Sequence, residues 1–237
     1  MILLKDLYKS LALTILSNSS VVVESKTDVD NADKEHILEF INEGLTRIHS
    51  RFVLRSNRLY IEMQEGRTDY PLRKKFSFMA YDQDNDTNLD YPFIRDTPAH
   101  PFYEDVIKIL NVYDNVGHRR ILNDKNDTHG LFTPRPDTLQ CIRPLHGEIL
   151  SIVYQAKHPL LTGALDQEVD LPETLIPALK YWVGYSFYTG VNGAEPTAKA
   201  AEYLQMYESI CKEVEDYDLT NGSISTTNVL FKERGWV

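Results

Sequence analysis

Asp82, Asp84, Asp86 and Asp90, with Asn85 and Asn88 among them, space side-chain oxygens along the chain much as a calcium-binding loop does. Hard cations want such oxygen ligands, but a working loop also needs a glycine at its sixth position for the sharp turn and a bidentate glutamate at its twelfth. Here those positions hold Thr87 and Phe93, so the stretch reads as a solvated acidic loop rather than a cation site. The seven histidines, at 36, 49, 100, 118, 129, 146 and 158, include no H-x-H or H-x-x-x-H pair, the short spacings that bring two imidazoles onto one metal. No G-x-S-x-G, phosphate-binding glycine loop, G-x-G-x-x-G or C-x-x-C is present either. Carboxylate pairs abound, but so acidic a chain yields them by chance, and none can be nominated as an acid–base dyad. No catalytic residue, cofactor site or metal site is therefore assigned.

Arginines supply the one charge pattern with a regular step. Arg47, Arg51, Arg55 and Arg58 are spaced four, four and three apart, which would make a basic stripe if one helix carried them all. The helix expected here ends near Phe52, so Arg47 and Arg51 alone share a face. They are candidate contacts to another subunit or to nucleic acid; the alternative is a solvated face with local salt bridges.

The elements that must position these groups follow from hydrophobic periodicity. Leu3, Leu4, Leu7 and Leu11 suggest a short amphipathic helix. Ile37, Ile41, Leu45, Ile48 and Phe52 place one apolar face on a helix from about residue 33 to 52. Asp33 or Asn31 could cap it. Gly44 within it costs about 1 kcal/mol relative to alanine, which a close helix–helix approach would explain. Near the end of the chain, Leu171, Leu175, Leu179, Trp182, Val183 and Phe187, then Ala194, Ala198, Ala201, Leu204, Tyr207, Cys211 and Val214, predict two helices joined at Asn192-Gly193. Pro172 and Pro196 suit first turns, and Pro177 is tolerable if the first helix starts near Thr174, which could cap it.

Between these helices the period becomes two. Leu59, Ile61 and Met63 alternate with polar neighbours, Glu65-Gly66 turns, and 68–72 returns, predicting a β-hairpin. Further strands are expected at 106–113 and 118–123, around a turn at 114–117, and at 137–143 and 147–156. The fold class is therefore α+β: a helical bundle of N- and C-terminal helices with an inserted antiparallel β-domain. The expected parts are 1–52 (bundle), 53–166 (β-domain, with an irregular acidic loop at 76–101), 167–217 (helical hairpin) and 218–237 (tail).

Composition narrows the functional classes. With 35 acidic against 25 basic residues, the net charge of −10 argues against broad adhesion to nucleic acid or anionic membrane, though not against a local basic patch. Cys141 and Cys211 lie far apart in apolar segments and read as buried free thiols, which suits a reducing compartment. Lys5, Asp6 and Lys9 interrupt the apolar N-terminal run, so neither a membrane span nor a signal peptide is expected.

Several segments together carry a resemblance. The helical pair opens L-P-x-x-L-x-x-A-L-x-Y-x-V at residue 171 and closes A-x-x-Y-L-x-x-Y-E at 200–208. INEGLTRIHSRF (41–52) runs from a helix into the first strands, and DTLQ (137–140) followed by GEILSIVYQAKHPLL (147–161) reads as the last β-hairpin before the helices. In this order they resemble the head-to-tail adaptor family of short-tailed phages, the gatekeeper or tail tubular protein A group, over most of the chain. The acidic insertion at 82–90 and the C-terminal tail depart from the pattern. The resemblance implies a structural, non-enzymatic virion protein of the tail or neck, assembled in the host cytoplasm. It would form a dodecameric homo-oligomeric ring under the portal protein, extend the channel for double-stranded DNA, and support the tail nozzle and tail fibre proteins. Val229, Leu230, Phe231 and Trp236 of the tail would then dock onto the portal or a neighbouring subunit, or fold back on their own domain. The competing readings are a ligand-binding β-module with a helical base and a carboxylate-based hydrolase with 76–101 as a lid.

Overall fold

The computed structural model describes residues 2–25, 27–79, 91–98 and 101–219. The acidic loop at 82–90 and the tail residues Val229, Leu230, Phe231 and Trp236 lie outside them. The chain divides into two compact units, one of residues 1–54 with 160–237 and one of residues 55–159. Its helices and antiparallel sheets make an α+β fold.

In the first unit, α1 (Leu4–Leu13) buries Leu4, Leu7, Tyr8, Leu11 and Ala12 on one face. The second helix, α2 (Lys34–Arg51), buries Ile37, Ile41, Leu45 and Ile48, each contributing about 2 kcal/mol by removal from water. Neither Asp33 nor Asn31 caps it with a side chain. Asp30 does that work, its backbone carbonyl accepting the Asp33 and Lys34 N–H groups at 3.0 and 3.1 Å and its carboxylate accepting that of Ala32 at 3.1 Å. Gly44 is where the close approach occurs: a Cβ there would lie 2.7 Å from both Leu179 Cδ1 and Trp182 Cδ1.

Those two residues belong to α3 (Ile176–Thr189), which pairs with α4 (Ala194–Asp216). Thr174 does not cap α3. It sits in a 3₁₀ turn, Glu173–Leu175, that leads into the helix, and Pro177 falls in the first helical turn, where its missing N–H costs nothing. Gly193 makes the turn at φ 136°, a conformation glycine adopts freely. The seam of α4 follows expectation from Leu204 through Tyr207, Cys211 and Val214 and departs from it in the first half of the helix. Ala200, Tyr207, Cys211 and Val214 are buried, with Tyr203 and Ile210 packed beside them, whereas Ala194, Ala198 and Ala201 are exposed. Alanines on several sides of the helix define no face, and the two tyrosines, with more surface to bury, choose it.

Two short strands, β1 (Ile2–Leu3) and β10 (Glu168–Val169), pair at the margin of this unit. Asn42 clasps the returning chain with a reciprocal pair of bonds: its Nδ2 donates to the Leu161 carbonyl at 3.1 Å and its Oδ1 accepts the Leu161 N–H at 3.0 Å.

The second unit is antiparallel β. Its strands are β2 (Ser56–Glu62), β3 (Asp69–Pro71), β4 (Ile94–Arg95), β5 (Val106–Tyr113), β6 (Arg119–Arg120), β7 (Leu131–Arg135), β8 (Thr138–Cys141) and β9 (Ile149–Ala156). They form a five-stranded sheet in the order β4-β2-β9-β5-β6 and a three-stranded sheet, β3-β8-β7. Inward residues of both, among them Leu59, Ile61, Tyr70, Leu139, Leu150 and Ile152, share one buried cluster.

Two predicted hairpins are corrected by this topology. The strands around Glu65-Gly66 do not pair with each other, because β2 lies between β4 and β9 while β3 joins β8. The buried phenol of Tyr70 holds the crossing: it accepts the Gln64 N–H at 2.9 Å and donates to the Gln64 carbonyl at 3.2 Å. Likewise β8 pairs with β7 and β3, and β9 with β2 and β5, so 137–140 and 147–161 form no hairpin. The strand β7 has no counterpart among the expected strands. Pro134 within it argues against a strand, yet an edge strand with a register shift between Phe132 and Arg135 accommodates proline. The β5–β6 hairpin is as predicted, with the Asp114 carboxylate accepting the Val116 and His118 N–H groups at 3.0 and 2.8 Å.

Candidate functional site

The candidate arginines end up in different roles. Arg51 lies on the last turn of α2 and reaches α4, donating from Nε and one terminal nitrogen to the two carboxylate oxygens of Glu215 at 2.7 and 3.1 Å. Its other terminal nitrogen donates to Glu208 at 2.6 Å. The hydrogen bond from Arg51 holds the Glu215 carboxyl below its usual range. Hydrogen bonding to Glu215 likewise raises the guanidinium above its ordinary value. Arg47, one turn earlier, places its guanidinium 4.5 Å from the ring centroid of Trp182 and 5.9 Å from that of Tyr207. Both rings are buried, so Arg47 covers the top of the α2–α3–α4 seam by a cation–π contact. The four-arginine stripe does not exist: α2 ends at Arg51, and Arg58 belongs to β2. The acceptors of Arg51 escaped the sequence reading, although Glu208 and Glu215, seven residues apart on one helix, share a face by their spacing alone.

The chemistry of the remaining groups is conservative. Among the described residues, no group of three or more His, Cys, Asp or Glu side chains could hold a metal ion. Cys141 and Cys211 are buried free thiols, and burial pushes both up, away from thiolate reactivity. In the β unit, Asp105 accepts bonds from the Tyr154 phenol at 2.8 Å and from Asn57 Nδ2 at 2.9 Å. Burial and then the Asp105 charge raise the Tyr154 phenol, so it stays a proton donor holding β5 to β9 rather than becoming a base. A hollow of about 300 Å³ beside it is lined by Arg58, Tyr60, Arg95, Asp96, Thr97 and Phe102. No helix among the described residues is long and apolar enough to cross a membrane.

The described residues thus form packed seams, hydrogen-bonded clasps and ion pairs. Comparison with known proteins supplies the family. A family model described as SU10 adaptor protein matches residues 4–227. No curated protein matches the chain. Covered across almost all its length, the chain belongs to the SU10 adaptor protein family and is a structural adaptor of the phage virion, a component of its tail or neck.

Proposed function

We propose that this adaptor assembles as a dodecameric ring beneath the portal, extends the channel through which double-stranded DNA passes, and carries the nozzle and fibre proteins. The family match over residues 4–227 carries the reading, and the resemblance to head-to-tail adaptors supplies its detail. Charge supports it. The helical unit holds 20 acidic against 11 basic residues and the β unit 15 against 14. A wall short of clustered cations does not grip phosphates, so DNA slides past it.

The α3–α4 hairpin, packed with α2, is assigned the closing of the ring, since head-to-tail interfaces close when their rotation permits. Arg47, exposed over its aromatic seat, and Arg51, through its paired carboxylates, are assigned to that contact. Val229, Leu230, Phe231 and Trp236 are assigned to the portal or to a neighbouring subunit. Assembly takes place in the host cytoplasm. Negative-stain microscopy and native mass measurement of the chain, alone and with its portal, test the reading. A ring of uniform stoichiometry is expected, and a monomer with no affinity for the portal overturns it.

A further inference from the structure

The outward face of the five-stranded sheet carries a continuous row, one residue from each strand: Arg95, Tyr60, Ser151, Tyr113 and Arg119. Arg58 stands one step along β2 on the same face, its guanidinium 5.7 Å from the Tyr113 ring centroid. The neighbouring residues Ile94, Ile61, Ile152 and Val112 point the other way and are fully buried, so this face is the solvent side of a completed core. Arg95 is paired with Glu62 at 2.8 Å. Arg58 and Arg119 are exposed, and among the described residues neither has a carboxylate partner. Ser151, between the two tyrosines in the row, is only 8% exposed, and its Oγ has no hydrogen-bond partner among the described residues. A buried hydroxyl with no partner among the described residues, on a face that also carries the Arg58 and Arg119 guanidinium groups, suits a carboxylate.

The same chain offers a complementary surface. On α2, Glu35, Glu39 and Glu43 are all exposed and follow one another at four-residue steps, about 6 Å apart along the helix. Among the described residues none of the three makes an ion pair with a lysine or arginine, the nearest basic group being the His36 ring 4.0 Å from Glu39, and the stripe ends one turn on at Arg47, whose guanidinium lies over Trp182. We infer that the Arg58–Tyr60–Tyr113–Arg119 face of one copy docks the Glu35–Glu39–Glu43 face of α2 from a second copy. Charge selects this occupant: the helical unit holds nearly all the chain's excess of acid, and the β unit is close to balanced. The two patches differ, so the contact is head-to-tail, the kind that propagates around a ring. The inference rests on the ring reading only in requiring that copies of this chain meet.

The test uses the full chain. Arg58→Cys and Glu39→Cys variants are mixed and treated with a short bis-maleimide; the native thiols are buried. Cross-linked heterodimer is expected at about ten times the yield of Arg58→Cys mixed with Glu202→Cys, whose site lies on α4. Charge reversal gives a second readout by sedimentation velocity. Arg58→Glu with Arg119→Glu should abolish self-association, Glu39→Lys with Glu43→Lys should do the same, and all four in one chain should restore it. A ring that forms while the cross-link stays at background and the reversals are silent overturns this inference and leaves the ring reading standing. A specific cross-link without a closed ring supports the face and overturns the ring. Monomers with a background cross-link overturn both.

Discussion

The helical unit and the β unit solve the same problem with different kinds of contact. In the helical unit, apolar residues three and four apart along one segment meet others of the same spacing, and the tightest point is a glycine, Gly44, against Leu179 and Trp182. In the β unit the neighbours are set by strand order, and single polar residues such as Tyr70 and Asp105 hold the crossings. Helical packing thus tolerates no bulk at its seam, while the β unit tolerates no loss of a few hydrogen bonds.

That contrast can be broken first at Ala200. It lies in the α4 seam, 6% exposed, so Ala200→Glu buries a charge without a partner and should cost the helical unit about 3 kcal/mol. Ala198→Glu, on the exposed side, should leave the monomer's stability unchanged. Hydrogen exchange read separately over the two units checks both; equal effects would mean that the seam is misplaced. Next in size is Tyr70→Phe, which strips the Gln64 N–H and carbonyl of their partner and should cost about 2 kcal/mol. Protection should fall within residues 55–159. If it falls equally in α2 and α4, the units are not separate in stability.

The smallest effect belongs to the Arg51 clamp. Arg51→Gln should cost about 1 kcal/mol, since the pair is partly solvated. The pH dependence has a definite sign. Glu215 titrates lower in the folded chain than in the unfolded one, so its contribution is complete above the unfolded carboxylate value, about 4.3, and is lost as pH falls through the depressed folded value. Glu215→Gln should flatten the acid limb of a melting-temperature profile, and an unchanged limb would remove Arg51 from the stability of α4.

The same contrast explains what could be read from residue order. A helix is decided by neighbours within one turn or two, so α1 and α2 were legible from Leu4, Leu7 and Leu11 and from Ile37, Ile41, Leu45 and Ile48. The first half of the α4 seam was not, because alanines fit every side of a helix and only contact with the other helices selects Ala200 and the half-buried Tyr203. Strand alternation at 59–63 and 68–72 announced strands but not partners, and pairing belongs to residues as distant as Leu59 and Ile152. The docking row was illegible for that reason: its five residues come from five strands and meet only when the sheet order is known. Arg47 and Arg51 were legible as a pair on one face, while the clamp on Glu208 and Glu215 required the turn between α3 and α4.

The Asn42–Leu161 clasp joins segments on either side of the whole β unit, and this has a consequence for the order of folding. A helical unit written in two pieces cannot close until its second piece has been synthesised, and closing a long floppy loop costs entropy. The β unit removes most of that cost in advance. Its first and last strands pair along their length, and the Ala156 N–H donates to the Arg55 carbonyl at 3.0 Å, so the two exits of the insert leave side by side. Once it has folded, the gap between the two halves of the bundle is a few residues wide. The insert thus serves as a splint, and a helix-only version that replaced it with a flexible linker of the same length would be expected to refold more slowly than one with a linker just long enough to span the two exits.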